Sequence, residues 1–286
     1  MKLIKYFIQF LIIVILFLLF KILGHRASSN ISNLVFSLIG PFFRSKDLII
    51  SNLNNAIPNL SESKSQLIIN KMWGNYGRIL SEYIFIKNFR NSKPNYILDI
   101  EGQGILDEIK KKKEPVIFIS GHFNNFELMA MHIDKSNINL ATIYRPLNNK
   151  FLNVIMEKLR KKYICKNQIK KGISGTKKLL TLFKKGSSIA LMIDQRVSEG
   201  IVSDFFDKGA YTTTIPAQFV KKFNCKIVPL YIERYQNINF KLTIQSPIEY
   251  SDNETIQTIT LDLNKRLEKM ILKNPEQWIW SHNRWK

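Results

Sequence analysis

The stretch EPVIFISGHFNNFELMAMHI, Glu114 to Ile133, decides how the chain is read. Val116 to Ile119 form a short unbroken apolar run, the pattern of a strand covered on both faces. From Asn124 onward the residues read as a helix. Gly121 and His122 sit at the junction, where Gly121 permits a tight turn or the close approach of a ligand. In open α/β sheets ligand chemistry gathers beyond the carboxyl ends of strands, which is where His122 falls.

Glu127 follows His122 by five residues. On one continuous helix that spacing is ~500°, leaving the two side chains ~140° apart. The pair works only if His122 lies on the turn and Glu127 in the first helical turn. The carboxylate can then hydrogen-bond one imidazole nitrogen, fix the tautomer and raise the basicity of the other nitrogen. The product is an oriented general base for a hydroxyl nucleophile. A plainer reading exists: Asn124-x-x-Glu127 resembles a capping box, with Glu127 closing a helix and His122 structural. Spacing alone leaves both open.

Working outward, strand and helix patterns alternate. YILDI (96–100), NLATIY (139–144), SSIALMID (187–194), KIVPLYIE (226–233) and FKLTIQ (240–245) read as strands. Helical patterns cover 59–86, 150–164, 175–185 with Gly186 at the stop position, 216–223 with Pro216 at the start, and 255–272. Residues 274–286 form an irregular tail. The alternation predicts an α/β fold with a mainly parallel central sheet flanked by helices.

The N-terminus adds a membrane element. LIKYFIQFLIIVILFLLFKIL, Leu3 to Leu23, is long enough to span a bilayer, and its only charges are Lys5 and Lys21 near its ends. It reads as an uncleaved anchor rather than a signal peptide, because His25 and Arg26 separate it from the small residues Ala27-Ser28-Ser29. The expected organisation is an anchor over residues 1–24 and one catalytic domain over 25–286. Basic residues flank the anchor on both sides and leave its orientation open. Asn33 to Phe43, broken by Gly40-Pro41, reads as an interfacial helix.

Lys and Arg number 43 against 22 Asp and Glu, a formal net charge of +21. Anionic partners are implied: nucleic acid, a membrane surface, a phosphorylated substrate or an acidic carrier. No nucleic-acid-binding motif appears. Cys165 and Cys225 form neither a disulfide framework nor a metal site, and His122 has no second His or Cys at ligand spacing. No metal and no cofactor are expected.

GHFNNFE resembles the HxxxxE box of the lipid A biosynthesis acyltransferases, a branch of the glycerolipid acyltransferases. The likeness continues through YRPLNN (144–149), MEKLR (156–160), LMIDQ (191–195) and the tail PEQWIWSHNRWK (275–286), with SNLNNAIPNLS and MWGNYGRILSE upstream. It covers roughly residues 45–286. The resemblance implies catalysis by His122 with Glu127, an acyl carrier protein thioester as donor, a lipid A precursor as acceptor, and a setting among the lipids of the cell inner membrane. A single-pass anchor holding the catalytic domain on the cytoplasmic side fits the basic, cysteine-poor body.

Four further residues are candidates for binding substrate. Arg160 stands where the family carries a functional arginine, although KLRKKY alone reads as a solvated helix face. Arg145 follows a strand and is second, with a plain surface residue as the rival reading. Asp194 and Gln195 also follow a strand, with Asp194 expected to shape the site. Lysine-rich segments 110–113, 158–162 and 166–178 suit acidic headgroups and an acidic carrier by steering. The tail tryptophans Trp278, Trp280 and Trp285 fit either a membrane interface or a core. Lys150, Ile215 and Asp207 depart from the family pattern. Two other functions remain as alternatives: acylation of another glycolipid or a lysophospholipid, and membrane-tethered binding of an anion or nucleic acid.

Overall fold

A computed structural model describes residues 2–285. Met1 and Lys286, the last residue of the tail motif, lie outside the described residues. In chain order the helices are α1 (Lys2–Ile39), α2 (Lys46–Ala56), α3 (Glu62–Glu82), α4 (Ile86–Arg90), α5 (Gln103–Lys112), α6 (Glu127–Lys135), α7 (Lys150–Tyr163), α8 (Ile173–Lys184), α9 (Ile215–Phe223) and α10 (Ile256–Lys273). The strands are β1 (Leu98–Glu101), β2 (Ile117–Ser120), β3 (Leu140–Tyr144), β4 (Asn167–Lys170), β5 (Ser188–Met192), β6 (Ile201–Phe205), β7 (Lys208–Thr212), β8 (Ile227–Tyr235) and β9 (Asn239–Ile244).

Seven strands form one sheet in the order β1-β9-β8-β2-β5-β3-β4. β8, β2, β5, β3 and β4 run parallel, as the alternation predicts. β9 is antiparallel to β8, and β1 pairs parallel with β9. Three residues link β8 to β9, with Gln236 and Asn237 at positive φ. So short a connection cannot carry the chain back to start a parallel strand. β2 lies at the centre with every residue buried, which explains its unbroken apolar sequence. Several elements are absent from the sequence reading, among them the helices α2 and α5. The edge strand β4 (NQIK) has too few apolar residues to register as a strand. The β6–β7 hairpin turns at Phe206 and Asp207, both left-handed, where a glycine pair is the usual choice.

The N-terminal helix is a candidate membrane span by length and apolarity. It breaks at Gly24, whose φ of 77° and ψ of 169° are essentially reserved to glycine. A Cβ there meets nothing within 4 Å, so any penalty is in the backbone alone. Gly24→Ala is therefore expected to cost ~1–3 kcal/mol, lowering the melting temperature in detergent by several degrees. Beyond the break, the second half of α1 lies directly on α3. A Cβ on Gly77 falls 2.1 Å from the Ser32 carbonyl oxygen, so only glycine admits the helix so close. Arg78 locks the pair, donating to Ser29 Oγ at 2.8 Å and Asn30 Oδ1 at 2.9 Å. The first half also touches the domain: Asn149 Nδ2 donates to the Tyr6 carbonyl at 2.8 Å, and Phe151 packs on Phe7 and Phe10.

The helix caps follow sequence rules. Ser61 caps α3, its hydroxyl accepting from Lys64 N–H. Asn149, the end of YRPLNN, caps α7 by accepting from the Phe151 and Leu152 amides. Lys150 stands at the first helical position, where the family's proline loses no hydrogen bond, so this departure leaves the helix start intact. The tail tryptophans resolve in favour of the core: Trp278 and Trp280 are buried and Trp285 is half-buried against Phe205.

Candidate active site

β2 and β5 pair in parallel register, with Ser120 opposite Met192. Two residues further along each chain, beyond both carboxyl ends, this register brings His122 beside Asp194. Ile193 N–H donates to the Ser120 carbonyl at 2.9 Å and keeps the two chains together past the last ladder pair. Asp194 Oδ1 then lies 2.7 Å from His122 Nδ1. Its Oδ2 accepts from the His122 amide at 2.8 Å and from Trp278 Nε1 at 2.9 Å. The carboxylate is buried, but three donors satisfy it.

The electrostatics of this pair run against its burial. Burial pushes the Asp194 carboxyl up, but the His122 charge and the three hydrogen bonds outweigh it and hold the carboxyl below its ordinary range. Burial likewise pushes the His122 imidazole down. The Asp194 carboxylate overcomes this by charge and hydrogen bond, aided by the charge of Glu127, and the imidazole ends above its ordinary value. With Nδ1 occupied, Nε2 has no hydrogen-bond partner among the described residues, and the side chain keeps 22% exposure. Phe126 stands edge-on to the ring at 4.8 Å between centroids. His122 lines a small open cleft with Asn75, Tyr76 and Ile79 of α3, Asn124, Phe126 and residues 277–279 of the tail.

This geometry corrects the predicted hydrogen bond between Glu127 and the imidazole. Glu127 does stand in the first turn of α6, but its carboxylate faces α3 and α7. Oε1 accepts from Tyr83 Oη at 2.6 Å and from Arg160 Nε at 2.7 Å, with Arg160 Nη2 at 2.6 Å. Asp194, delivered in register by the neighbouring strand, already holds Nδ1. The capping alternative is not realised either, because Phe126 occupies the cap position of α6 and no side chain caps the helix. Asn124, with φ at 43°, instead donates to the Ile232 carbonyl and to Gln277 Oε1.

The remaining candidates fall around this centre. Arg160 is close to Glu127 as a committed ion pair rather than a free anion site; its side chain is 13% exposed and that of Glu127 8%. Arg145 lies one residue past the carboxyl end of β3, at the same end of the sheet, and is exposed with no hydrogen bond among the described residues. Gln195 follows Asp194, half-buried. Lys110–Lys113 ends α5 and feeds the amino end of β2, so that run is at the opposite end of the strand from His122. His282 is half-buried, and its backbone carbonyl accepts from Asn52 Nδ2 at 2.7 Å.

Several site residues escaped the sequence reading. Tyr83 braces Glu127, and Trp278 holds Asp194. Gln277 Oε1 accepts from the Asn124 amide and from the Arg234 N–H, which joins the histidine loop to β8. Glu82 is buried between Arg234 and Asn125. Trp278 and Gln277 lie in the tail block and Glu82 ends MWGNYGRILSE, so the segments were visible although the contacts were not. Removing one member of a buried ion pair typically costs ~3–5 kcal/mol, because the partner charge is stranded. Glu127→Ala is expected to lose about that much stability, while Glu127→Gln keeps an acceptor for Tyr83 and loses less. Thermal melts decide it; an alanine variant that melts like the parent means that the Arg160 pair does not brace the fold.

A family model described as bacterial lipid A biosynthesis acyltransferase matches residues 1–286. The chain is 22% identical over 251 residues to the lipid A biosynthesis palmitoleoyltransferase of Escherichia coli (strain K12), covering 86% of this chain and 80% of that protein. It is 23% identical over 250 residues to the lipid A biosynthesis myristoyltransferase of the same organism, covering 85% and 75%. The lipid A biosynthesis lauroyltransferase of that strain matches at 23% over 247 residues, covering 85% and 79%.

Proposed function

Because the chain belongs to the bacterial lipid A biosynthesis acyltransferase family and is an acyltransferase, we propose that it moves an acyl chain from an acyl carrier protein thioester to a hydroxyl of a lipid A precursor. The carrying observation is the imidazole of His122, held through Nδ1 by Asp194 with Nε2 unpartnered at a cleft.

Nε2 takes the proton of the acceptor hydroxyl as that oxygen attacks the thioester carbonyl. The tetrahedral intermediate collapses, the C–S bond breaks, and the imidazolium returns its proton to the leaving thiolate. Asp194 fixes the tautomer with Nδ1 protonated and stabilises the imidazolium. Glu127, its charge opposed at the ring by Arg160, ties Tyr83, which follows α3, and α7 to the histidine loop. Transfer is direct. Cys165 and Cys225 are buried, with thiols pushed up by burial to about 11 and about 12, and Ser120 Oγ is spent on the Leu230 carbonyl. Such groups make poor nucleophiles at neutral pH.

Arg145, at the open end of the sheet, is the candidate for a phosphate of the acceptor, with its planar fork suited to that geometry. Asp194 and Gln195 complete the edge of the site. The apolar N-terminal helix sets the enzyme in the cell inner membrane, and the basic domain faces the cytoplasm, where an acidic carrier and anionic headgroups meet its lysines.

The test uses purified full-length protein in detergent, a tetra-acylated lipid A precursor and a panel of acyl carrier protein thioesters. The expected product is the precursor heavier by one acyl group. Failure with every thioester, alongside transfer to a lysophospholipid, moves the activity to another acceptor class.

A further inference from the structure

The exposed apolar surface does not end at the break in α1. On the far side of Gly24, Leu34, Leu38 and Phe42 recur every fourth residue and are 62%, 66% and 89% exposed. Phe43 adds a fourth apolar side chain at 63% exposure. Scattered exposed leucines are ordinary, but a continuous stripe is not. This half of α1 is also part of the domain. Gly74 and Gly77 let it lie on the α3 backbone, and Arg78 ties it there. It cannot swing away with the anchor.

We propose that the second half of α1, together with the Gly40–Phe43 turn, is a second membrane contact that sinks into the headgroup boundary of an anionic bilayer and fixes the height of the cleft above it. Two observations choose the bilayer as the occupant. The stripe continues the apolar surface of the candidate span, so the same membrane reaches it. The stripe is also closed by Arg44 and Lys46, both exposed, which are placed to meet anionic phosphates as the phenylalanines enter the acyl boundary.

The contact is connected to the chemistry. Phe43 lies 6.4 Å from Trp73, which lies 5.5 Å from Tyr76. Tyr76 lines the cleft beside His122. α3 therefore links the membrane contact to the cleft wall through the neighbouring rings of Trp73 and Tyr76. A lipid acceptor can then reach Nε2 by rising only partway out of the bilayer. The inference rests on the proposed membrane setting and adds a fixed depth and orientation to it.

A nitroxide label reads the depth without reading catalysis. Cys165 and Cys225 are 2% and 9% exposed, so labelling goes to an introduced cysteine. Full-length protein carrying Phe42→Cys, Lys46→Cys or Thr181→Cys is reconstituted in phosphatidylethanolamine–phosphatidylglycerol vesicles. At position 42 the label is expected to be open to oxygen and shielded from a water-soluble nickel chelate, with the reverse at 46 and 181. Equal nickel access at 42 and 181 overturns the proposal, whatever reaction the enzyme catalyses. A second arm uses the double variant Leu38→Ser, Phe42→Ser. Its KM for acceptor in vesicles should rise roughly tenfold or more, as expected for two lost apolar contacts, with kcat unchanged in detergent. An unchanged KM in vesicles also overturns it.

Discussion

Replacing His122 with alanine is expected to lower kcat by roughly 10²–10⁴, the usual contribution of a positioned general base. Folding should survive the change. Asp194 keeps two of its three donors, the amide of residue 122 and Trp278 Nε1, so no buried carboxylate is left bare. Residual transfer would come from holding the two substrates together. Initial rates with a saturating thioester, beside a thermal melt, separate the two effects. A variant that melts like the parent and turns over at the parental rate would falsify the base assignment. The same result would revive anion binding as the whole function.

Asp194→Asn should be nearly as costly, roughly 10²–10⁴ in kcat, and it carries a second signature. An asparagine amide can donate to Nδ1 and so stabilise the wrong tautomer, with the proton on Nε2. The pH dependence follows from the charges around the ring. Burial pulls the imidazole down and Asp194 pulls it up, with Asp194 winning. A general base works in its neutral form, so the rate rises with pH through the raised imidazole value. Without the carboxylate the burial effect prevails, and the acid limb of the rate profile should move to lower pH even as the maximum falls. A merely structural Asp194 predicts a lower melting temperature with the limb unmoved. Glu127→Gln gives the internal comparison, since Glu127 contributes a smaller part of the upward pull.

The arrangement divides labour between two carboxylates. Asp194 orients the ring, while Glu127 is neutralised by Arg160 and serves as a brace between α3, α6 and α7. The sequence reading assigned the orienting role to Glu127 because the two residues are close along the chain. Proximity in sequence was a poor guide here, since the first turn of α6 points the side chain away from the turn that carries His122.

What the sequence determined by itself is what local pattern can carry. The covered strand 117–120, the histidine at its exit, the alternation of strands and helices, the long apolar N-terminal helix and the stop at Gly186 are all consequences of residue type and period along the chain. The mainly parallel character of the sheet followed from that alternation. The polar edge strand β4 and the Phe206–Asp207 hairpin were silent because their residues do not favour the conformations they adopt. Tertiary structure alone decided which carboxylate faces His122. That choice is fixed by the register of β2 on β5, which brings together residues 72 positions apart, and by a tail tryptophan 84 positions beyond Asp194. Such partners are selected by the packing of the whole sheet, and a one-dimensional pattern holds no record of them.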